Sequence, residues 1–209
     1  MEGRVWAWVL LFFLGAYHGI NPGMGWLFAV ALGMQKQSSR VVWLSLLPIA
    51  VGHALAIGLV VVAIALLGRV VPTHYVRFSV ACILLGIGLS RLIRRAHPRW
   101  GGMQVGFRDL MIWSFLMASA HGAGFMLLPV MMGTIVGHSM LVHERIPYGP
   151  WTGALAVVVH TVAYLLTTGT VAFVVYRWLG LSLLRRAWVN LDLIWAVALM
   201  VTAGAALVL

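Results

Sequence analysis

Four histidines stand inside long uncharged stretches of the sequence, each beside glycine or threonine: His18-Gly19, Gly52-His53, His121-Gly122 and His160-Thr161. Neutral imidazole binds zinc, copper, nickel and iron, and an ordinary pKa of about 6.5 also makes it a proton carrier at physiological pH. Methionine sulfur follows closely, with Met24 six residues after His18 and Met126 five after His121. A thioether favours soft ions such as Cu(I), although a methionine taken alone is more often adaptable packing. The histidines fall into two pairs with similar separations, 35 residues from His18 to His53 and 39 from His121 to His160. The first member of each pair sits in a glycine-rich run. One run is His18-Gly19-Ile20-Asn21-Pro22-Gly23-Met24-Gly25, and the other is His121-Gly122-Ala123-Gly124-Phe125-Met126 with Pro129 behind it. The pattern points to a transition-metal cation held by His18, His53, His121 and His160, with Met24 and Met126 as softer donors.

The elements that carry these residues are membrane helices. Of 209 residues, 63% are hydrophobic and 9% charged, and the mean hydropathy is +1.02. Soluble domains carry roughly 25% charged residues, so this chain has too little polar surface to cover a core in water. Uncharged runs approaching the roughly 20 residues that cross a bilayer as a helix occur at 5–34, 41–67, 74–92, 110–136, 151–176 and 187–209. The third is the weakest, because Arg77 and Arg91 bracket only 13 uncharged residues. The first continues past the length of a leader and lacks an A-x-A cleavage pattern, which favours a helix over a signal peptide. Lys and Arg number 10 in the first, third and fifth connections and 4 in the other connections and the termini. That asymmetry places both termini outside, as in a bacterial inner-membrane protein with periplasmic ends. The net charge of +10 is spread between apolar runs as a topology signal and does not form a nucleic-acid surface. One cysteine, Cys82, excludes an intramolecular disulfide.

A charge run with His97-Pro98 and Gly101-Gly102 makes 94–108 a cytoplasmic linker within a single transmembrane domain, 1–209. It separates repeat one, 1–93, from repeat two, 109–209. Three helices per half invert the second copy. The expected fold is therefore an all-α polytopic membrane protein, six transmembrane helices in two inverted three-helix repeats, with the four histidines near one depth. A straight helix over 5–34 would be about 45 Å long, more than the hydrocarbon core holds, so the first helix is expected to break at Asn21-Pro22-Gly23. The fourth is expected to break where Gly122 and Gly124 loosen it and Pro129 displaces the carbonyl of Phe125. Carbonyls freed at the breaks would lie beside the imidazoles. Asn21, Pro22, Gly23, Gly122 and Gly124 thus line the expected substrate path. Asp192 joins them as the one carboxylate expected inside a span, where a salt bridge to Arg185 or Arg186 competes with a role in the ion or proton path.

These residues resemble the motifs of the LysE-type superfamily of small exporters, and within it the nickel/cobalt (NicO-like) branch. The resemblance rests on the runs 18–25 and 121–124 together with Gly52-His53 and His160-Thr161. It implies two inverted three-helix halves, a polar Pro-Gly break in the first helix and a histidine early in the second. Where the nickel/cobalt motif has an acidic residue before the proline and a second histidine after the glycine, this chain has Asn21 and Met24, which are softer or neutral groups. The expected function is transport of a transition-metal cation through a midplane histidine site, with proton antiport as a candidate driving force. The metal is cargo, and no permanently bound cofactor is expected. Two alternatives stay open: an exporter of an amino acid or small anion on the same fold, and a bis-His haem b electron-transfer protein. Without a phosphate-binding loop, zinc-protease helix or catalytic triad in the sequence, an enzyme is not expected. Expected partners are the lipid bilayer and the small ion or molecule carried. A homo-oligomer is compatible with the pattern, and nucleic acid is not.

Overall fold

Where hydrophobic residues run on without alternation, the backbone meets its own hydrogen-bonding needs as helix. The computed structural model describes residues 2–67, 73–93, 106–131, 150–179, 197 and 199–204, and the regular structure among them is helical. In chain order the elements are α1 (Glu2–Ile20), a single 3₁₀ turn (Pro22–Met24), α2 (Trp26–Gln35), α3 (Ser39–Leu67) and α4 (Thr73–Ile93). There follow α5 (Phe107–Ala120), α6 (Ala123–Met131) and α7 (Pro150–Val174), which widens into a π turn at Val175–Leu179. The spans expected at 5–34, 41–67, 74–92 and 151–176 correspond to α1–α2, α3, α4 and α7, and that at 110–136 to α5–α6 as far as Met131. Residues 199–204 of the sixth expected span are helical. Most of the rest of that span, Asp192 with it, and residues 94–105 of the expected linker lie outside the described residues. Helix α5 starts at Phe107, inside the linker expected at 94–108, where the Asp109 carboxylate accepts the Gly106 N–H at 2.9 Å and caps it.

Among the described residues two helices, Ser39–Leu67 and Trp151–Trp178, are long and apolar enough to cross a bilayer. On α3 the residues Leu44, Leu47, Val51, Leu55, Leu59 and Val62 recur every three to four positions and are all exposed, while Leu46, Ile49, His53, Ile57 and Ile64 are buried on the other side. Helix α7 repeats the pattern, with Trp151, Leu155, Val158, Val162 and Leu166 outward. A helix apolar on every side, one of them uncovered, is suited to hydrocarbon and not to water.

The described helices close on each other chiefly through two pairings, α1 along α7 and α5 along α3. Glycine allows both. A Cβ at Gly15 would strike the His160 carbonyl oxygen, one at Gly52 would strike that of Met111, and one at Gly19 would stand 2.6 Å from that of Tyr164. Met24, Trp26, Ile49, Leu84, Leu128 and Tyr164 then share one apolar interior that reaches from the first break to α4, α6 and α7.

The first break falls where expected. Helix α1 ends at Ile20, Asn21 Oδ1 accepts the Gly23 N–H at 2.9 Å, and α2 restarts after Gly25. Gly25 has φ +132°, which L side chains rarely adopt, and Ile49 packs against it. The second break corrects the expectation that Pro129 would kink the helix at Phe125. The interruption lies at His121-Gly122, with Gly122 at φ +69°, and α6 runs through position 129 to Met131. A left-handed glycine ends α5 without steric cost before the proline is reached.

Candidate functional site

Helices α1, α3 and α7 each bring one histidine to the same interior point. His18, His53 and His160 are fully buried, with ring centres 5.0 Å apart for His18 and His160, 5.6 Å for His53 and His160, and 5.8 Å for His18 and His53. The rings of His53 and His160 lie within 7° of parallel, and His18 crosses them at 65° and 68°. Tyr164, one turn beyond His160, stacks on His53 with ring centres 3.8 Å apart and donates its hydroxyl proton to the Met24 carbonyl.

The rings are held differently. His18 Nδ1 bonds the Leu14 carbonyl at 2.7 Å. A carbonyl only accepts, so Nδ1 carries the proton and Nε2 is the basic atom of the neutral ring. His121 repeats this at the end of α5, where Nδ1 donates to the Met117 carbonyl at 2.8 Å; it lies near enough to His18 for a charge on one to be felt by the other. Among the described residues, both nitrogens of His53 and both of His160 are buried without a hydrogen-bond partner, as is the Thr161 hydroxyl. The Leu11 carbonyl faces His160 but without the geometry of a hydrogen bond. Each buried polar atom left so costs about 1–3 kcal/mol.

Imidazoles that share a tetrahedral zinc, with Zn–N bonds of about 2.0–2.1 Å, have ring centres about 5 Å apart. The spacing of the three rings suits a common ion, but their orientation does not: among the described residues no group of three or more His, Cys, Asp or Glu is arranged to hold a metal. Holding a metal would therefore need the rings of His53 and His160, or groups near them, to move from these positions. Neither ring has a hydrogen bond to resist that, although the stack of Tyr164 steadies His53.

The backbone beside the cluster departs from expectation, because its carbonyls are not left free by the break but accept hydrogen bonds. Those of His18, Asn21, Pro22 and Gly25 accept backbone N–H groups within the turn and the start of α2. That of Gly19 accepts from Thr168 Oγ1 at 3.4 Å, that of Ile20 from Trp26 Nε1 at 2.9 Å, that of Gly23 from Trp113 Nε1 at 3.2 Å, and that of Met24 from Tyr164. An unmet carbonyl in this interior is expensive, and donors from α2, α5 and α7 remove the cost.

Of the residues expected at the site, His18, His53 and His160 come together and His121 stands beside them. Asn21, Pro22 and Gly23 form the closed turn. Gly122 is the second break. Gly124 serves helix contact, since a Cβ there would stand 2.6 Å from the Cβ of Val60. Met24 and Met126 pack in the main core. Sequence reasoning missed Tyr164 and the Gly15/Gly19 face. Both had local signals: His160-x-x-x-Tyr164 puts two rings on one helix face, and Gly15-x-x-x-Gly19 is a close-packing pattern. Comparison with family models, characterised proteins and solved structures returns no match to this chain.

Proposed function

We propose that this chain is a small integral-membrane transporter that moves a transition-metal cation past His18, His53 and His160 in exchange for protons. The observation that carries this reading is the set of four buried nitrogens on His53 and His160 with no hydrogen-bond partner, 5.0–5.8 Å by ring centre from a third imidazole. Neutral imidazole suits borderline ions, and protonation competes with metal at the one basic nitrogen of each ring. A divalent ion among imidazoles alone carries uncompensated charge, which is costly in an apolar interior. That cost favours release, which proton exchange completes: the ion enters while the rings are neutral, and as it leaves each ring takes a proton on the nitrogen that the metal vacates. The break's carbonyls already accept hydrogen bonds, which makes the rings the favoured groups to meet the cargo.

The uncovered apolar faces of α3 and α7 support a bilayer setting. The inverted repeat, the six spans, the inner-membrane location with both termini outside and the LysE-type likeness belong to the same reading. Two paired features support the repeat: α1 along α7 is matched by α5 along α3, and His18 on Leu14 by His121 on Met117.

The test is flux in reconstituted vesicles loaded with a metal-sensitive dye. Zinc, nickel or Cu(I) should cross faster against an opposing proton gradient, and binding to the purified protein should weaken steeply from about pH 7.5 to about pH 5.5. Flux indifferent to the gradient overturns exchange in favour of a facilitator. Binding indifferent to chelators overturns the metal in favour of an amino acid or small anion, and a Soret band on the purified protein does so in favour of haem b.

A further inference from the structure

We propose that the molecule carries a site for an anionic phospholipid, with an acyl chain in a groove between α3 and α7 and the phosphate at Lys36, Arg40 and Arg177. This rests on the bilayer reading above but not on the cargo. The groove is shallow and open on its outer side, with about 400 Å³ between Trp43, Leu46, Leu47 and Ala50 of α3 and Leu165, Leu166 and Thr170 of α7, a shape that suits a chain lying along the protein surface. Thr170 brings the one hydroxyl of the lining, and it is turned onto its own helix, donating to the Leu166 carbonyl at 2.7 Å. The wall is therefore hydrocarbon in character and offers nothing to a sugar or peptide. Gly169 lets the two helices close at the edge of the groove, because a Cβ there would stand 3.1 Å from Leu46 and 3.2 Å from Trp43.

One end of the groove leads to positive charge. Trp43 meets Phe173 there, with ring centres 5.7 Å apart, and beyond them Gly33 of α2, Val42 of α3 and Tyr176 of the π turn come together. Lys36 lies three residues after Gly33, Arg40 two before Val42, and Arg177 next to Tyr176, and all three are exposed. Trp178 is 75% exposed at the same end. From hydrocarbon groove through indole to cations, the order is that of a phospholipid from chain to headgroup and of a membrane interface. Charge complementarity selects an anionic lipid. The sequence has 14 Lys and Arg against 4 Asp and Glu, so its cations must find most of their counter-charges outside the chain. The loop asymmetry also assigns this end to the cytoplasmic leaflet, where anionic lipids concentrate.

The test is lipid binding to the purified chain in neutral detergent, read by native mass spectrometry and thermal unfolding, with phosphatidylglycerol and phosphatidylcholine of identical acyl chains. Phosphatidylglycerol should bind at least tenfold more tightly and raise the unfolding temperature. Combined Lys36→Gln, Arg40→Gln and Arg177→Gln should weaken it roughly 100-fold, about fivefold per cation, and weaken phosphatidylcholine far less, because choline offsets the charge of its phosphate. Ala50→Phe, which fills the groove, should weaken both lipids. Equal affinity for the two lipids, or a preference that survives the triple substitution, overturns the headgroup site. Undiminished binding by Ala50→Phe overturns the groove. Competition by inorganic phosphate as effective as the lipid itself overturns the lipid as occupant, and so does a disulfide between two chains through Leu47→Cys in a Cys82→Ser background, which gives the groove to a second copy. None of these readouts uses metal, so a failure of metal flux leaves them intact. A chain washed off membranes by alkaline carbonate overturns the bilayer reading and this site with it.

Discussion

Two regions that touch each other treat buried polar atoms in opposite ways. Through the break at 18–25 every backbone carbonyl meets a donor, and those of Gly19, Gly23 and Met24 are met only because Thr168, Trp113 and Tyr164 reach in from other helices. In the adjoining cluster, His53 and His160 keep four ring nitrogens with no partner. Tyr164 belongs to both regions, its hydroxyl on the Met24 carbonyl and its ring on His53. At about 1–3 kcal/mol for each unmet atom, thrift alone does not explain meeting every need in one region and none for two rings in the next. The broken segment is a frame closed by hydrogen bonds, and the adjoining rings are held by packing and stacking instead.

The largest effects that would break this contrast are at the rings. His53→Leu or His160→Leu should reduce metal binding by well over 100-fold, beyond the roughly 10- to 100-fold of changes that only orient a ligand. The unfolding temperature should hold or rise, because no hydrogen bond is lost and unmet polar atoms are removed. Calorimetric titration and a thermal melt on the same preparation check both halves. A melt that drops while binding is little changed would place these histidines in the frame.

Within the frame, the two breaks should differ. Gly25→Ala is expected to cost about 3 kcal/mol, because an alanine at φ +132° is strained and its Cβ would stand 2.7 Å from Ile49. Gly122→Ala should cost less, about 1–2 kcal/mol, since φ +69° lies in the left-handed basin and its nearest contact, Leu199 Cδ2 at 3.2 Å, is the tip of a flexible side chain. Denaturant midpoints for the two variants check the order, and equal losses would mean that the breaks are built alike.

Tyr164→Phe comes next and sharpens the contrast most directly, because one atom is removed from the residue that joins the regions. The Met24 carbonyl loses its donor while the stack on His53 stays, so stability should fall by about 2 kcal/mol and metal affinity should change by no more than a few-fold. A large loss of affinity at unchanged stability would assign the hydroxyl to the site.

What could be read in advance follows the same division. The apolar runs and the Pro-Gly break left one economical arrangement, and α3 at Ser39–Leu67 meets the span expected at 41–67. Buried histidines stand out against a hydrocarbon background, so His18, His53 and His160 were visible as residues. The satisfied carbonyls were not, because Trp113 lies 90 residues from Gly23 and Thr168 lies 149 from Gly19, and no local pattern records a partner so distant. At the second break the glycine half of the expectation holds and the proline half does not, for a different reason. A proline is the louder signal in a sequence, but a glycine free to take φ +69° acts first along the chain.

The smallest effect tests whether the frame depends on each donor or on their sum. Trp113 donates to the Gly23 carbonyl at 3.2 Å and packs edge-on against Phe28 with ring centres 5.0 Å apart. Trp113→Phe keeps an aromatic ring beside Phe28 and removes only the N–H. The residue is half-buried and the bond is longer than the one from Trp26 to Ile20, 2.9 Å, so the expected loss is about 1 kcal/mol, near the net worth of a typical hydrogen bond. Combined with Tyr164→Phe, the losses should exceed their sum, because the two donors hold adjacent carbonyls of one turn and either alone keeps that turn docked. A double-variant melt that matches simple addition would show that the turn is held bond by bond, and the break would then be a set of separate caps and not a unit.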